Sequence, residues 1–310
     1  MMNRSDQTLA IAALKSAAPY IRMYKGKTFV VKAGGGVFAD TDSTRVLVEQ
    51  IAILHYFGVR VVMVHGGGPQ VTELQTALGL ESRMVQGRRV TDQKSIDVTA
   101  MVLSGLINTR ILSICRQLNI DAVGVSGVDA GLIRAHRRSP VKLEDGQVVD
   151  YGFVGDIVGI DTNVIKKLLD NGLMPVVSPL SADENGTLLN INADTVAAAI
   201  GASLDAEKLI LCTGAPGILE RVEDAGSLIS YTDLKGLKRL KDEKRIVEGM
   251  LPKARAIEEA IRGGVRRVHV VSYKSPEGIL GEVFTNEGTG TLIVADVNAI
   301  PANEQQPAGR

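Results

Sequence analysis

Tryptophan is absent from this 310-residue chain, and the other aromatics, six Tyr and five Phe, make up 4% of it. A core without large rings is packed from Val, Ile, Leu and Ala, as in parallel sheets covered by helices on both faces; apolar residues supply 45% of the chain. There are only two cysteines, Cys115 and Cys212, far apart and each in an apolar run. That excludes a disulfide framework and predicts buried free thiols. Charge of one sign is not in excess: 35 basic residues balance 35 acidic ones, so the basic footprint of a nucleic-acid binder is missing. No uninterrupted apolar run approaches the ~20 residues of a membrane span. The start, MMNRSDQTLA, has no signal-peptide core. A soluble, cytoplasmic protein that binds neither membrane nor nucleic acid is expected. Familiar catalytic signatures are lacking too: no Gly-x-Ser-x-Gly elbow, no His-Glu-x-x-His, no Cys–His cluster and no complete Walker loop.

What the chain does have is glycine at the ends of apolar runs. HGGGPQ at 65–70 follows the run at 59–64, and KAGGG at 32–36 follows TFVV at 28–31. A strand that stops in glycines just before a helix leaves backbone N–H groups free to approach a ligand, next to the positive end of the helix dipole. Such a turn suits a phosphate or carboxylate, and two of them suggest one anion held between. From residue 28 onward strands and helices alternate, with strands expected at 28–32, 60–64, 121–125, 174–178, 208–213, 267–272 and 291–294. Helices are expected at 43–57, 69–78, 93–118, 161–171, 193–202, 231–241 and 252–263. This is an α/β pattern with a mostly parallel sheet. A hairpin-like insertion at 132–158 turns at Asp145-Gly146. A helix over 9–24, bent or broken at Pro19, precedes the first strand as an oligomerisation helix within 1–25. Two lobes, 26–200 and 201–298, meet near 198–206, and 299–310 reads as a flexible tail.

An inventory of glycine turns, lysines and carboxylates at strand ends fits phosphoryl transfer, where positioning and charge neutralisation do most of the work. Lys32 closes a strand directly against Gly34 and Gly35. Asp194 ends NINAD at 190–194, where Asn190, Asn192 and Asp194 share a face if extended; a site role exceeds what an N-cap needs. Asp194 is expected to orient cationic groups. Lys253 follows EGMLP at a helix start, where a cation opposes the dipole unless an anion is present. Arg89 suits a carboxylate fork, with a structural ion pair as the alternative. His65 reads as hydrogen-bonded structure, and RAHRR at 134–138 as a solvated turn.

In order and spacing, VKAGGG at 31–36, HGGGPQ at 65–70, GRRVT at 87–91, AVGVSG at 122–127, YGFVG at 151–155, NINAD at 190–194, EGMLPK at 248–253 and GTGT at 288–291 resemble the amino-acid kinase superfamily. Within it they are most similar to the N-acetylglutamate kinases of arginine biosynthesis. The resemblance covers about 9–297 and implies an open αβα sandwich with an acyl-amino-acid lobe followed by a nucleotide lobe. It further implies transfer of the ATP γ-phosphoryl to the γ-carboxylate of N-acetyl-L-glutamate, with Mg2+ carried on the nucleotide phosphates and no metal bound directly by the protein. Lys32 and Lys253 match the lysines that neutralise the moving phosphoryl group, and Asp194 the aspartate that holds them. Gly34 and Gly35 match phosphate donors; Gly66, Gly67, Gly68, Arg89, Asn190 and Asn192 match substrate contacts. The nucleotide is expected at Thr213, Gly214, Gly217, Gly249 and Met250. The N-terminal helix resembles that of arginine-inhibited, hexameric members, which implies an L-arginine site at Tyr20, Glu282, Gly288 and Gly290 and a homo-oligomer. Gly214 stands where an aspartate is usual, and Val128 where a lysine is usual. These departures resemble the kinase-like domain of N-acetylglutamate synthases and keep open a catalytically weak regulatory protein. A kinase for a related acyl amino acid is a third reading.

Overall fold

The apolar runs become strands of one sheet. A computed structural model describes residues 4–85, 88–143, 145–221, 223–246 and 248–299. The eight strands are β1 (Thr28–Ala33), β2 (Arg60–His65), β3 (Ala122–Ser126), β4 (Met174–Ser178), β5 (Lys208–Thr213), β6 (Tyr231–Asp233), β7 (Arg267–Ser272) and β8 (Thr291–Val294). Their spatial order is β6-β8-β7-β5-β1-β2-β4-β3. All pairings are parallel except β7 with β8. Both faces are buried, and alternation assigns each residue to a layer. Phe29, Val31, Val61 and Met63 pack on one side with helices α2 (Thr41–Tyr56) and α4 (Gln93–Gln117) and with α9 (Gly278–Phe284). Val30, Val62 and Val64 pack on the other side with α5 (Asn163–Asp170), α6 (Ala193–Ser203), α7 (Leu234–Asp242) and α8 (Leu251–Arg262).

Strand β1 lies at the middle, flanked by β2 on one side and β5 on the other. Lys32 pairs across to Val64 and Leu211, and Ala33 to His65 and Cys212. The chain therefore leaves β1 and β2 side by side at their carboxyl ends, the place where open α/β sheets bind ligands. A second, four-stranded sheet, in the order Leu188–Asn190, Leu180–Ala182, Ile133–Arg137, Gly155–Ile160, adds a wall beside that edge. The 132–158 insertion contributes two of its strands as well as the small ribbon Val141–Lys142 with Val148–Val149.

Several expectations are corrected. Helix α1 (Arg4–Tyr24) runs unbroken through Pro19, whose ring removes a single N–H donor from an otherwise continuous ladder. The helix expected at 231–241 begins at Leu234, because 231–233 pairs with β8 as an edge strand. Asp233 then caps the helix, accepting from the Gly236 N–H at 2.8 Å. The helix at 93–117 carries a π-helical stretch, Met101–Ile107. Among the described residues this helix is long and apolar enough, by length and composition, to cross a membrane. A count of uninterrupted apolar residues misses it, since polar residues punctuate it, and half of its most apolar window is buried inside the protein. Cys115 and Cys212 are buried free thiols, pushed up by burial to about 11 and about 12. Residues 300–310, within the expected tail, lie outside the described residues.

Candidate active site

At the carboxyl ends of β1 and β2 the two glycine turns lie against each other. A side chain at Gly35 would meet Pro69 Cδ at 2.6 Å and Gly67 Cα at 3.0 Å. The Gly66 N–H donates to Ala33 O at 2.8 Å, and the Gln70 side-chain amide donates to Gly35 O at 2.8 Å. Gly67 is closed from behind by the π-helical stretch: an added Cβ would lie 2.3 Å from Ile107 Cδ1 and 2.6 Å from Leu103 Cδ2. Only glycine permits this approach of turn to turn. Helix α3 (Gly68–Ala77) starts at once, with Pro69 in its first turn.

The turns form part of a cavity of about 480 Å³ that also takes in Lys32, Arg89, Asn190, Asn192, Asp194 and Lys253. Asp194 is 4% exposed and stands between the lysines, with Oδ1 2.7 Å from Lys32 Nζ and Oδ2 3.6 Å from Lys253 Nζ. Burial works against its charge, but Lys32 and then Lys253 outweigh it and hold the carboxyl below its ordinary range. Burial, aided by the charge of Lys32, pulls the Lys253 ammonium below the usual lysine value despite Asp194. Position 194 is not the helix cap. Asn192 caps α6, its side-chain oxygen accepting from Asp194 N at 2.8 Å and Thr195 N at 3.1 Å. That cap sets Asp194 in the first turn, where the dipole favours a carboxylate. Asn190 ends a strand, its N–H donating to Phe153 O at 2.8 Å.

Arg89 is held by α3 and its surroundings. Its Nη1 donates to Gln75 Oε1 at 2.5 Å and to Ser82 Oγ, and its Nη2 to Thr72 Oγ1 at 2.6 Å and Gly68 O at 3.2 Å. None of these four Arg89 contacts is an ion pair with a carboxylate. His65 is fully buried and neutral: burial lowers it to about 4, its Nδ1 faces Gly66 O at 3.2 Å, and Nε2 faces Asn108 Nδ2 at 3.2 Å. The ring is structural.

Of the five residues expected at the nucleotide, none lines this cavity. Thr213 is buried at the end of β5, donating to Ala215 O at 2.9 Å, and Gly214 is exposed beside Tyr273. Gly217 is a packing glycine, its Cβ position 2.6 Å from both Leu228 Cδ1 and Thr291 Oγ1. Gly249 and Met250 precede α8. The residues expected at an arginine site adjoin α1, but Glu282 is corrected to an internal role. It is 4% exposed and receives His269 Nδ1 at 2.7 Å on Oε1 and the N–H groups of Thr289 and Gly290 at 2.7 and 2.8 Å on Oε2. One oxygen is committed to His269 on β7 and the other to the 289–290 loop. Tyr20 packs on Phe284 and donates to Asn286 Oδ1; Gly288 has a left-handed φ of +66°.

Sequence reading missed five charged cavity residues: Arg88, Arg138, Asp156, Arg255 and Glu259. Arg138 is corrected most clearly. Far from a solvated turn, RAHRR forms a strand, and Arg138 just past its end grips Asp156, Nε reaching the two carboxylate oxygens at 3.0 and 3.1 Å. Two antiparallel strands make that pair, so no local pattern announces it. Among the described residues no group of three His, Cys, Asp or Glu side chains is placed to hold a metal.

A doubly covered sheet whose central strand ends in a lysine, with a shared aspartate, a second lysine and paired glycine turns, defines a phosphoryl-transferring enzyme of the open α/β class. Residues 27–272 match the amino acid kinase family, and the chain belongs to it. It is 45% identical over 303 residues to an acetylglutamate kinase from Myxococcus xanthus, covering 96% of each chain. It is 43% identical to an acetylglutamate kinase from Symbiobacterium thermophilum, covering 91% of this chain and 97% of that one. Among solved structures it is similar to N-acetylglutamate synthase from Neisseria gonorrhoeae complexed with coenzyme A and L-arginine, with 26% identity and a TM-score of 0.79. That match covers 92% of this chain and 65% of the synthase chain.

Proposed function

We propose that the protein transfers the γ-phosphoryl group of ATP to the γ-carboxylate of N-acetyl-L-glutamate, giving an acyl phosphate and ADP, in arginine biosynthesis. The observation that carries this reading is Asp194 bridging Lys32 and Lys253 beside two glycine turns. A carboxylate oxygen of the acceptor attacks the γ-phosphorus, and the bond from that phosphorus to the β–γ bridging oxygen breaks. The acceptor is already ionised, so no base is needed, in keeping with the lack of a catalytic-base motif. Charge spreads over the equatorial oxygens in transit. Lys32 and Lys253 neutralise it, Asp194 fixes both ammonium groups, and the N–H groups at Gly34, Gly35 and Gly67 orient the phosphoryl oxygens, while Gly66, its own N–H spent on Ala33 O, lets the turns meet. Gly68, Asn190 and Asn192 hold the acceptor, and Arg89 joins them by exchanging a hydroxyl partner, Ser82 or Thr72, for its carboxylate; Thr213, Gly214, Gly217, Gly249 and Met250 border the nucleotide. With Asp194 engaged by lysines and Asp156 by Arg138, Mg2+ enters as a companion of the nucleotide phosphates.

The 45% identity over nearly full length to an acetylglutamate kinase supports this reading over a regulatory one. L-arginine inhibition belongs to the same proposal. The arginine complex of the Neisseria synthase supports it, with Glu282 ordering the 288–290 loop near Tyr20. A hydroxylamine trap with ATP, Mg2+ and N-acetyl-L-glutamate tests the whole. Acyl hydroxamate is expected, decreasing as L-arginine is added. ATP left intact and no hydroxamate would overturn the kinase reading; a flat L-arginine titration would remove only the inhibition.

A further inference from the structure

Three arginines at this cavity have no part in the transfer just described. Arg138 is neutralised by Asp156. Arg88 and Arg255 are different, since neither guanidinium group is hydrogen-bonded or ion-paired to a described residue. Arg88 lies on a second ribbon, in which Arg88–Arg89 pairs antiparallel with Met84–Val85, and Arg255 lies on α8, two residues beyond Lys253. Both face the one cavity. Partial burial, and after it the charges of Arg138 and Arg255, depress the Arg88 guanidinium. Arg138 and Arg255 oppose the Arg88 charge by more than the nearby Asp156 carboxylate supports it. Surface cations that merely need solvent have no reason to converge from separate parts of the chain.

Among the described residues, six cationic side chains line the cavity against three carboxylates. Asp194 and Asp156 are spent on cations already named. The excess positive charge is complementary to anionic occupants, and planar guanidinium forks are suited to oxyanions in particular. Arg89, the neighbour of Arg88, has Nη donors committed to Gln75, Thr72, Ser82 and Gly68. Arg88 is the uncommitted fork of the pair.

We propose that Arg88 and Arg255, backed by Arg138, form a second oxyanion clamp across the mouth of the cleft that closes on a carboxylate or phosphate oxygen of a bound substrate. The clamp joins the ribbon to α8 through the ligand, so filling it draws the two sides together. The kinase reading supplies only the identity of its ligands. The test titrates the full chain by calorimetry with N-acetyl-L-glutamate, with a non-hydrolysable ATP analogue plus Mg2+, and with inorganic pyrophosphate, in wild type, Arg88→Met, Arg255→Met and the double variant. Each single variant is expected to weaken one ligand by about tenfold or more, the size of one charge-assisted hydrogen bond. The double variant is expected to lose less than the product of the two single losses, as partners on one ligand should. A loss confined to the acyl amino acid identifies the clamped group as its carboxylate; a loss confined to nucleotide and pyrophosphate identifies a phosphate. Arg88→Lys, which keeps the charge without the fork, is expected to fall between wild type and Arg88→Met, and it serves if the methionine variants fail to fold. Affinities for all three ligands within about twofold of wild type, well under the tenfold step of 1.4 kcal/mol, would overturn the clamp. Hydroxamate formation by the wild type is scored separately, so the clamp and the kinase reading fail independently.

Discussion

At Asp194 one carboxylate meets two ammonium groups, 2.7 and 3.6 Å away, in ground that excludes most water. In such a setting a charge is worth more than at the surface, and removing either amine strands part of the ion cluster. Lys32→Ala and Lys253→Ala are each expected to lower kcat by about a hundredfold or more, the scale of a lost donor to developing charge. Acyl hydroxamate release against time measures this, and an unaltered kcat in either variant contradicts the assigned role. The same pair sets a pH limit. Because the free protein holds Lys253 below the ordinary lysine value, its proton leaves earlier as pH rises, and kcat/KM declines before that value is reached. In Lys253→Arg, whose guanidinium stays charged, whatever activity remains keeps its plateau to higher pH.

The two glycine turns are elements whose spacing leaves no slack. An alanine at position 67 would drive its methyl into Ile107 and Leu103, whereas position 68 has nothing within 4 Å of an added carbon. Gly67→Ala is therefore expected to cost about 1–3 kcal/mol of stability, as overpacking does, while Gly68→Ala leaves it nearly unchanged. Denaturant midpoints compare the two, and equal midpoints would mean the turn does not press on the π-helical stretch. These turns were legible beforehand, because an apolar run ending in glycines has few alternatives, and so were the seven main strands they punctuate. Less was legible where pairing decides. The edge strand at 231–233 reads as the start of a helix, since its own Asp233 is a helix cap. Pro19 suggests a break that the rest of its ladder spans. Arg138 finds Asp156 only through two antiparallel strands, and Arg255 faces Arg88 only once α8 has docked. Glu282 looked available as an acid in sequence and is instead wired to His269 and a loop.

For the molecule as a whole, α1 stands out as an arm. Its last turns dock on the core, Tyr24 packing edge-on to Phe29 at 5.2 Å and Tyr20 to Phe284 at 6.4 Å. Farther out, Leu9, Ile11 and Leu14 are 71%, 55% and 57% exposed. An amphipathic helix with such a free apolar edge buries it by pairing, and a second copy of the chain is the partner proposed. Leu9→Asp with Leu14→Asp is expected to shift sedimentation toward smaller species while hydroxamate formation persists. An unchanged sedimentation pattern removes the arm from the assembly.

Lys32, Asp194 and Lys253 sit on the central strand, on a helix past the middle of the chain and on another near its end. Contacts between such distant segments form slowly, because long loops must close first. A chain diluted from denaturant thus regains its far-ultraviolet dichroism before its turnover. The return of activity timestamps the arrival of the last of the three segments.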